Sequence, residues 1–270
     1  MPIPKSLRPA LAGLVLLGAA LPTGAQAAWP TLSSGDPAPV PRASDYRELA
    51  ELPDFSGIWY PDWSRLFSDR SAARPQLTPA AQARFDAYQA SIAEGGPDQY
   101  MQAHCIPPGI PGVMQQPYPI EILYSPGRVT LITEAYMQVR RIYTDGRALP
   151  EDPDFFFNGN SVGHWDGDSL VVETVGFHPL TVIAAGIEHS EQMKTVERIW
   201  REGDFLYDRM TITDPEVLTA PFVINMAFKL DNEFPLREYV CAENNRLRSE
   251  EGGANIDLGL DEGSGFDSIE

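Results

Sequence analysis

Histidine and cysteine are scarce in this 270-residue chain, with four and two copies respectively. Cys105 and Cys241 have no Cys-x-x-Cys spacing that would mark a redox motif or a zinc site. Basic residues are also few: 20 Lys and Arg stand against 38 Asp and Glu, a formal net charge of −18. Such a field repels phosphate backbones and anionic lipid heads, so nucleic acid and membrane surfaces are poor candidate partners. No phosphate-binding loop or His-Glu-x-x-His occurs, so neither a cofactor nor a metal is expected. The apolar run Leu11 to Ala20 is shorter than the roughly 20 residues a membrane helix needs.

That run has a different meaning. Lys5 and Arg8 precede it, and Ala25-Gln26-Ala27 follows in the small-x-small pattern that signal peptidase cuts after. Met1–Ala27 is therefore expected to be a signal peptide, with the mature chain starting at Ala28 in a periplasmic or secreted location. Its removal takes two bases and no acids, which leaves the mature chain more acidic still. In an oxidising compartment an isolated cysteine pair is expected to form a disulfide, and Cys105–Cys241 is the single pairing available.

Residues 28–54 carry Pro30, Pro37, Pro39, Pro41 and Pro53, a composition that propagates neither helix nor central strand; they read as an extended arm. Residues 249–270 hold seven acids and no base, and read as a disordered tail. Between them, residues 55–248 suffice for one core. One helix is signalled there: Thr78 as N-cap, Pro79 at the first helical position, and Gly95-Gly96 as the stop. Ala81, Phe85, Tyr88 and Ile92 share one of its sides, a packing face.

The rest alternates like strands. The segments are Ile120–Tyr124, Arg128–Glu134, Met137–Tyr143, Val162–Trp165, Leu170–Thr174, Lys194–Trp200, Phe205–Thr213, Phe222–Leu230 and Arg237–Ala242. Asp166-Gly167-Asp168 and Glu202-Gly203-Asp204 are hairpin turns. Short connections without crossover helices predict an antiparallel meander. Its opening, Gly57-Ile58-Trp59, resembles the Gly-x-Trp start of lipocalin-like barrels, where the Trp plugs one end. The fold class is thus mainly β: an antiparallel, up-and-down, lipocalin-like barrel with one short helix, enclosing either a packed core or one small ligand.

From Ile120 onward the chain resembles a widespread, functionally uncharacterised family of secreted bacterial proteins. The stretches that carry the likeness are Arg141-Ile142-Tyr143-Thr144-Asp145-Gly146-Arg147 and Ser161-Val162-Gly163-His164-Trp165-Asp166-Gly167-Asp168-Ser169-Leu170-Val171-Val172-Glu173-Thr174. They continue in His189-Ser190-Glu191, Glu197-Arg198, Thr213-Asp214-Pro215 and Tyr239-Val240-Cys241-Ala242-Glu243-Asn244. Gly159-Asn160-Ser161 departs from that family's Gly-His-Ser. The resemblance implies the secreted address and the paired cysteines, and no activity.

Alternation nominates the chemistry. Arg141 shares a face with Val139 and Tyr143, Glu197 with Thr195 and Ile199, Arg198 with Val196 and Trp200, and Glu173 with Val171. A charge facing a barrel interior is costly unless it is paired or serves a ligand. His164, beside Trp165, and His189 are the candidate proton carriers. One reading is a binding barrel for a small apolar or aromatic molecule, with Arg141, Trp165, Tyr143 and Arg198 as ligand contacts. The alternative is a cofactor-free lyase, isomerase or hydrolase using His164 or His189 with Glu197 or Glu173. A third is an interaction partner that uses the arm and tail. On the first two, His164, Glu197 and Arg141 are expected to line one internal cavity.

Overall fold

The computed structural model describes residues 45–65, 74–95 and 105–241, together with the backbone of Leu247–Glu250 and Gly253–Ile256. The expected signal peptide and most of the expected arm lie outside the described residues. Nine strands close into a barrel. In chain order they are β1 (Gly57–Pro61), β2 (Ile120–Ser125), β3 (Arg128–Thr133), β4 (Val139–Tyr143), β5 (Asn160–Asp166), β6 (Ser169–Val175), β9 (Lys194–Glu202), β10 (Phe205–Thr213) and β11 (Phe222–Leu230). A small hairpin, β7 (Val182–Ala184) and β8 (Ile187–Glu188), stands apart from the ring. Helix α1 (Pro79–Ala93) begins as expected, with the Thr78 side chain accepting from the Ala81 N–H.

Neighbours in the ring follow chain order, as in a meander, but the pairing is mixed. β4 and β5 run parallel, joined through Ile142 with Ser161 and Tyr143 with Val162, while every other junction is antiparallel. Parity demands this. Strands that alternate in direction around a closed ring must be even in number, and nine is odd. A parallel junction also needs a crossover of a dozen or more residues. Residues 144–159 supply it, tied down where the Phe156 N–H donates to the Gly176 carbonyl and the Ile110 N–H to that of Phe157.

The expected final strand, Arg237–Ala242, does not form; residues 237–240 lie outside any ladder. β11 already pairs with β10 on one edge and β1 on the other, so no edge remains for it. The Arg237 N–H instead donates to Glu134 at 2.7 Å, and the Tyr239 ring packs on Tyr118 and Tyr136. Cys241 then closes the disulfide to Cys105, with Cα atoms 5.6 Å apart. At the start of the tail expected to lack structure, residues 249–270, β12 (Leu247–Glu250) crosses the boundary and pairs with β13 (Gly253–Ile256). No described helix is long and apolar enough to cross a membrane.

Side chains fill the barrel. Trp59, Ile122, Leu131, Ile142, Leu170, Met210 and Met226 are buried within it. Phe55, Tyr124 and Trp165 stack together at one end, and Arg201 lies over the Trp59 ring. Gly163 is the inward residue that must be small. A Cβ there would stand 2.8 Å from the Ile142 side chain. Rings of this strand number have interiors just wide enough for side chains, and this one is packed rather than hollow.

Candidate functional site

A polar cluster interrupts that apolar interior. Arg140 from β4 reaches across to Glu197 on β9, and the two side chains are 3% and 0% exposed. The Arg140 Nη1 donates to Glu197 Oε1 at 2.8 Å, and Nη2 donates to Oε2. Its Nε donates to Ser161 Oγ at 3.2 Å and Nη2 to Thr174 Oγ1 at 2.9 Å, while the two hydroxyls bond each other. The pairing register makes this convergence unavoidable: Ser161 stands opposite Thr174, Thr174 opposite Thr195, and Val172 opposite Glu197. Burial by itself would lower the Arg140 guanidinium, but the charge and hydrogen bonds of Glu197 outweigh it and hold the group above its ordinary value.

Asp208, on β10, is the third charged member, and it is 1% exposed. Neither of its oxygens meets a hydrogen-bond donor. Burial first, and the Glu197 charge second, push its carboxyl well above the ordinary carboxylate value, against a smaller opposing pull from Arg140. Asp208 is therefore the acid of the cluster that burial drives toward its neutral form. A buried guanidinium paired with one carboxylate, beside an acid pushed toward its neutral form, is an arrangement that a low-dielectric interior tolerates.

The expected residues distribute differently. Glu197 faces the interior. Arg141 and His164 are exposed, so the three do not share an internal cavity. Arg141 does lie on one face with Val139 and Tyr143, but that face points outward. The adjacent Arg140 points in, because Leu131 and Arg140 are cross-strand partners inside the barrel. Tyr136 and Met137 adopt left-handed backbone conformations and break the alternation that Met137–Tyr143 suggests. His164 forms no hydrogen bond or ion pair among the described residues, and with Glu173 it borders a shallow outer hollow. Glu173 pairs with Lys194, and Arg198 with Asp166, as rungs on the outer surface. Trp165 is buried in the core with its indole N–H unpartnered. Tyr143 is half-buried beneath the Arg147 guanidinium, 3.7 Å from its ring centre.

His189 is held in a loop. Its Nε2 lies 2.8 Å from Thr181 Oγ1 and 3.0 Å from the His178 carbonyl, and its Nδ1 lies 2.7 Å from the Ser190 carbonyl. Neither histidine contacts Glu197, so the acid–base pair expected in the interior is not assembled. The neighbouring Ser190 donates through Oγ and through its N–H to the buried Asp214 carboxylate. Two motif stretches far apart in sequence thus meet as a loop anchor.

Arg140 and Asp208 went unnamed in the sequence. For Asp208 a signal existed: Leu206, Asp208, Met210 and Ile212 alternate on β10, and one acid sits in that apolar register. For Arg140 the tandem arginines hid which one turns inward.

The two roomiest clefts described open on the outside of the ring. A cleft of about 700 Å³ opens between α1, the β7–β8 hairpin and the end of β11. Tyr88, Leu180, Val182, Ile183, Ile187, Val217, Phe222 and Ile224 give it apolar walls, and Arg84, Gln115, Gln116 and Glu188 add polar groups. The Gly186 turn brings the hairpin against α1 so closely that a Cβ there would lie 2.3 Å from the Tyr88 ring.

No protein-family model matches the chain, and no curated protein matches it. Its chemistry therefore rests on the geometry above.

Proposed function

We propose that this is an exported binding barrel, cleaved after Ala27, that holds a small, largely apolar molecule in the cleft between α1, β7–β8 and the end of β11. The observation that carries the reading is that cleft. Its volume of about 700 Å³ falls in the range of small-molecule sites, and apolar side chains with a few polar groups line it. The Cys105–Cys241 disulfide agrees with an oxidising compartment. The lipocalin-like character and the membership of the secreted bacterial family belong to the same proposal. They are supported by the Gly57-Ile58-Trp59 opening of a closed barrel and by the motif stretches that meet around Ser161, Thr174 and Glu197.

A titration with the neutral fluorescent probe N-phenyl-1-naphthylamine tests it. The wild type is expected to bind one probe saturably. Ala87→Arg and Leu180→Arg, which place a charge at exposed positions of the cleft wall, should weaken binding at least tenfold while the melting temperature holds. Absence of saturable binding to the wild type, or equal binding by both variants, would refute the proposal.

A further inference from the structure

A second cleft lies where the parallel junction leaves the barrel wall thin. β4 and β5 share only two paired positions, and the crossover 144–159 arches beside them. The space beneath measures about 680 Å³. Its lining contains three arginines, Arg140, Arg141 and Arg147, and no Asp or Glu. In a chain with 38 acids and 20 bases, that local reversal of sign is the feature requiring explanation.

The three cations differ in availability. Arg140 is neutralised from inside by Glu197. Arg147 is paired with Asp145 and lies over the Tyr143 ring. Arg141 is exposed and has no acidic partner among the described residues. One free guanidinium, backed by a second that a stronger acceptor could recruit, favours an anion, and its planar fork suits a carboxylate.

Two further features narrow the ligand. Phe156, 51% exposed, and Tyr143 both line this cleft, which favours a flat apolar body. Gln138 Oε1 and Asn158 Oδ1 both belong to lining residues, are buried, and have no donor. The Asn158 amide is oriented by its Nδ2, which points to the Val139 carbonyl, so the oxygen is the end left without a partner. An unmet buried acceptor is costly, and a ligand hydroxyl or N–H would relieve it.

We propose that this seam cleft is a binding site for an aromatic carboxylate that carries a second hydrogen-bond donor, such as a phenolic acid. Arg141 takes the carboxylate, Tyr143 and Phe156 flank the ring, and Gln138 or Asn158 accepts from the hydroxyl. The site is separate from the apolar cleft proposed above.

Calorimetric titration of the full chain with 6-hydroxy-2-naphthoate tests it. One molecule should bind per chain, and both 2-naphthol, which lacks the carboxylate, and 2-naphthoate, which lacks the hydroxyl, should bind at least fivefold more weakly. Arg141→Gln and, independently, Phe156→Ala should each weaken 6-hydroxy-2-naphthoate at least fivefold with unchanged circular dichroism. Ala87→Arg, in the other cleft, should leave its affinity unchanged. No binding to the wild type, full affinity in both seam variants, or loss of affinity in Ala87→Arg would overturn the assignment. The last outcome would place the probe in the apolar cleft instead.

Discussion

Asp208 and Glu197 set two carboxyl groups beside one guanidinium inside a packed barrel, and the upward push on the Asp208 carboxyl has a thermodynamic consequence. Its folded value is raised above the ordinary 3.8, so the folded chain binds a proton that the unfolded chain releases. The favourable contribution is fully present below about pH 3.8 and is lost as pH rises through the folded value. Asp208→Asn keeps the shape, removes the titration, and gives Glu197 an amide donor. Across that window the wild type should therefore lose stability relative to Asp208→Asn by up to about 1.4 kcal/mol per pH unit. Urea melts of both proteins from pH 4 to 8 would show it; parallel curves would mean that Asp208 is ionised in the fold. Removing the cation is a different experiment. Arg140→Ala strands Glu197 in the interior and should cost about 3–5 kcal/mol, measured in the same melts, and a loss under about 1 kcal/mol would contradict a buried, paired carboxylate. At this scale the sequence told which residues alternate but not which way they point. Val139, Arg141 and Tyr143 offered more apolar surface than Arg140 and Ile142, and cross-strand pairing with Leu131 overrode that count.

Among the elements, α1 was the most legible. Thr78 and Pro79 specify its start through local backbone bonding, and that start appears where expected. Its docking was not legible, because it depends on the hairpin that meets it. Gly186 has φ +76° and touches the Tyr88 ring. Gly186→Ala adds both backbone strain and a clash, and should destabilise by about 1–3 kcal/mol. Tyr88→Ala removes the clash and leaves the strain, so the double variant should recover part of the loss. Additive effects in thermal melts would show that the hairpin does not bear on α1. The strands divide in the same way. Phe205–Thr213 and Phe222–Leu230 follow from alternation and turn residues alone. Arg237–Ala242 alternates as well, yet barrel closure had already occupied both edges of β11.

For the whole molecule, the disulfide joins points 136 residues apart, fastening the segment after β11 to the loop that leads into β2. On the chain-entropy account, so long a loop stabilises by roughly 5 kcal/mol. Reduction, or paired Cys105→Ser and Cys241→Ser, should then lower the melting temperature by roughly 10–20 °C. Calorimetry with and without a phosphine reductant reads this directly, and a shift under about 2 °C would mean that the anchor is dispensable. The cysteine pairing needed no structure, because two cysteines allow one partner each. Strand identity, hairpin turns and the helix cap were likewise written locally, in residue spacing and turn chemistry that act over a few positions. The parallel seam, the inward turn of Arg140, the lost last strand and the two outer clefts were decided only in three dimensions. Closure is a long-range condition: an odd ring needs a parallel junction, a filled interior moves ligand space outside, and neither constraint is visible in any short stretch of chain.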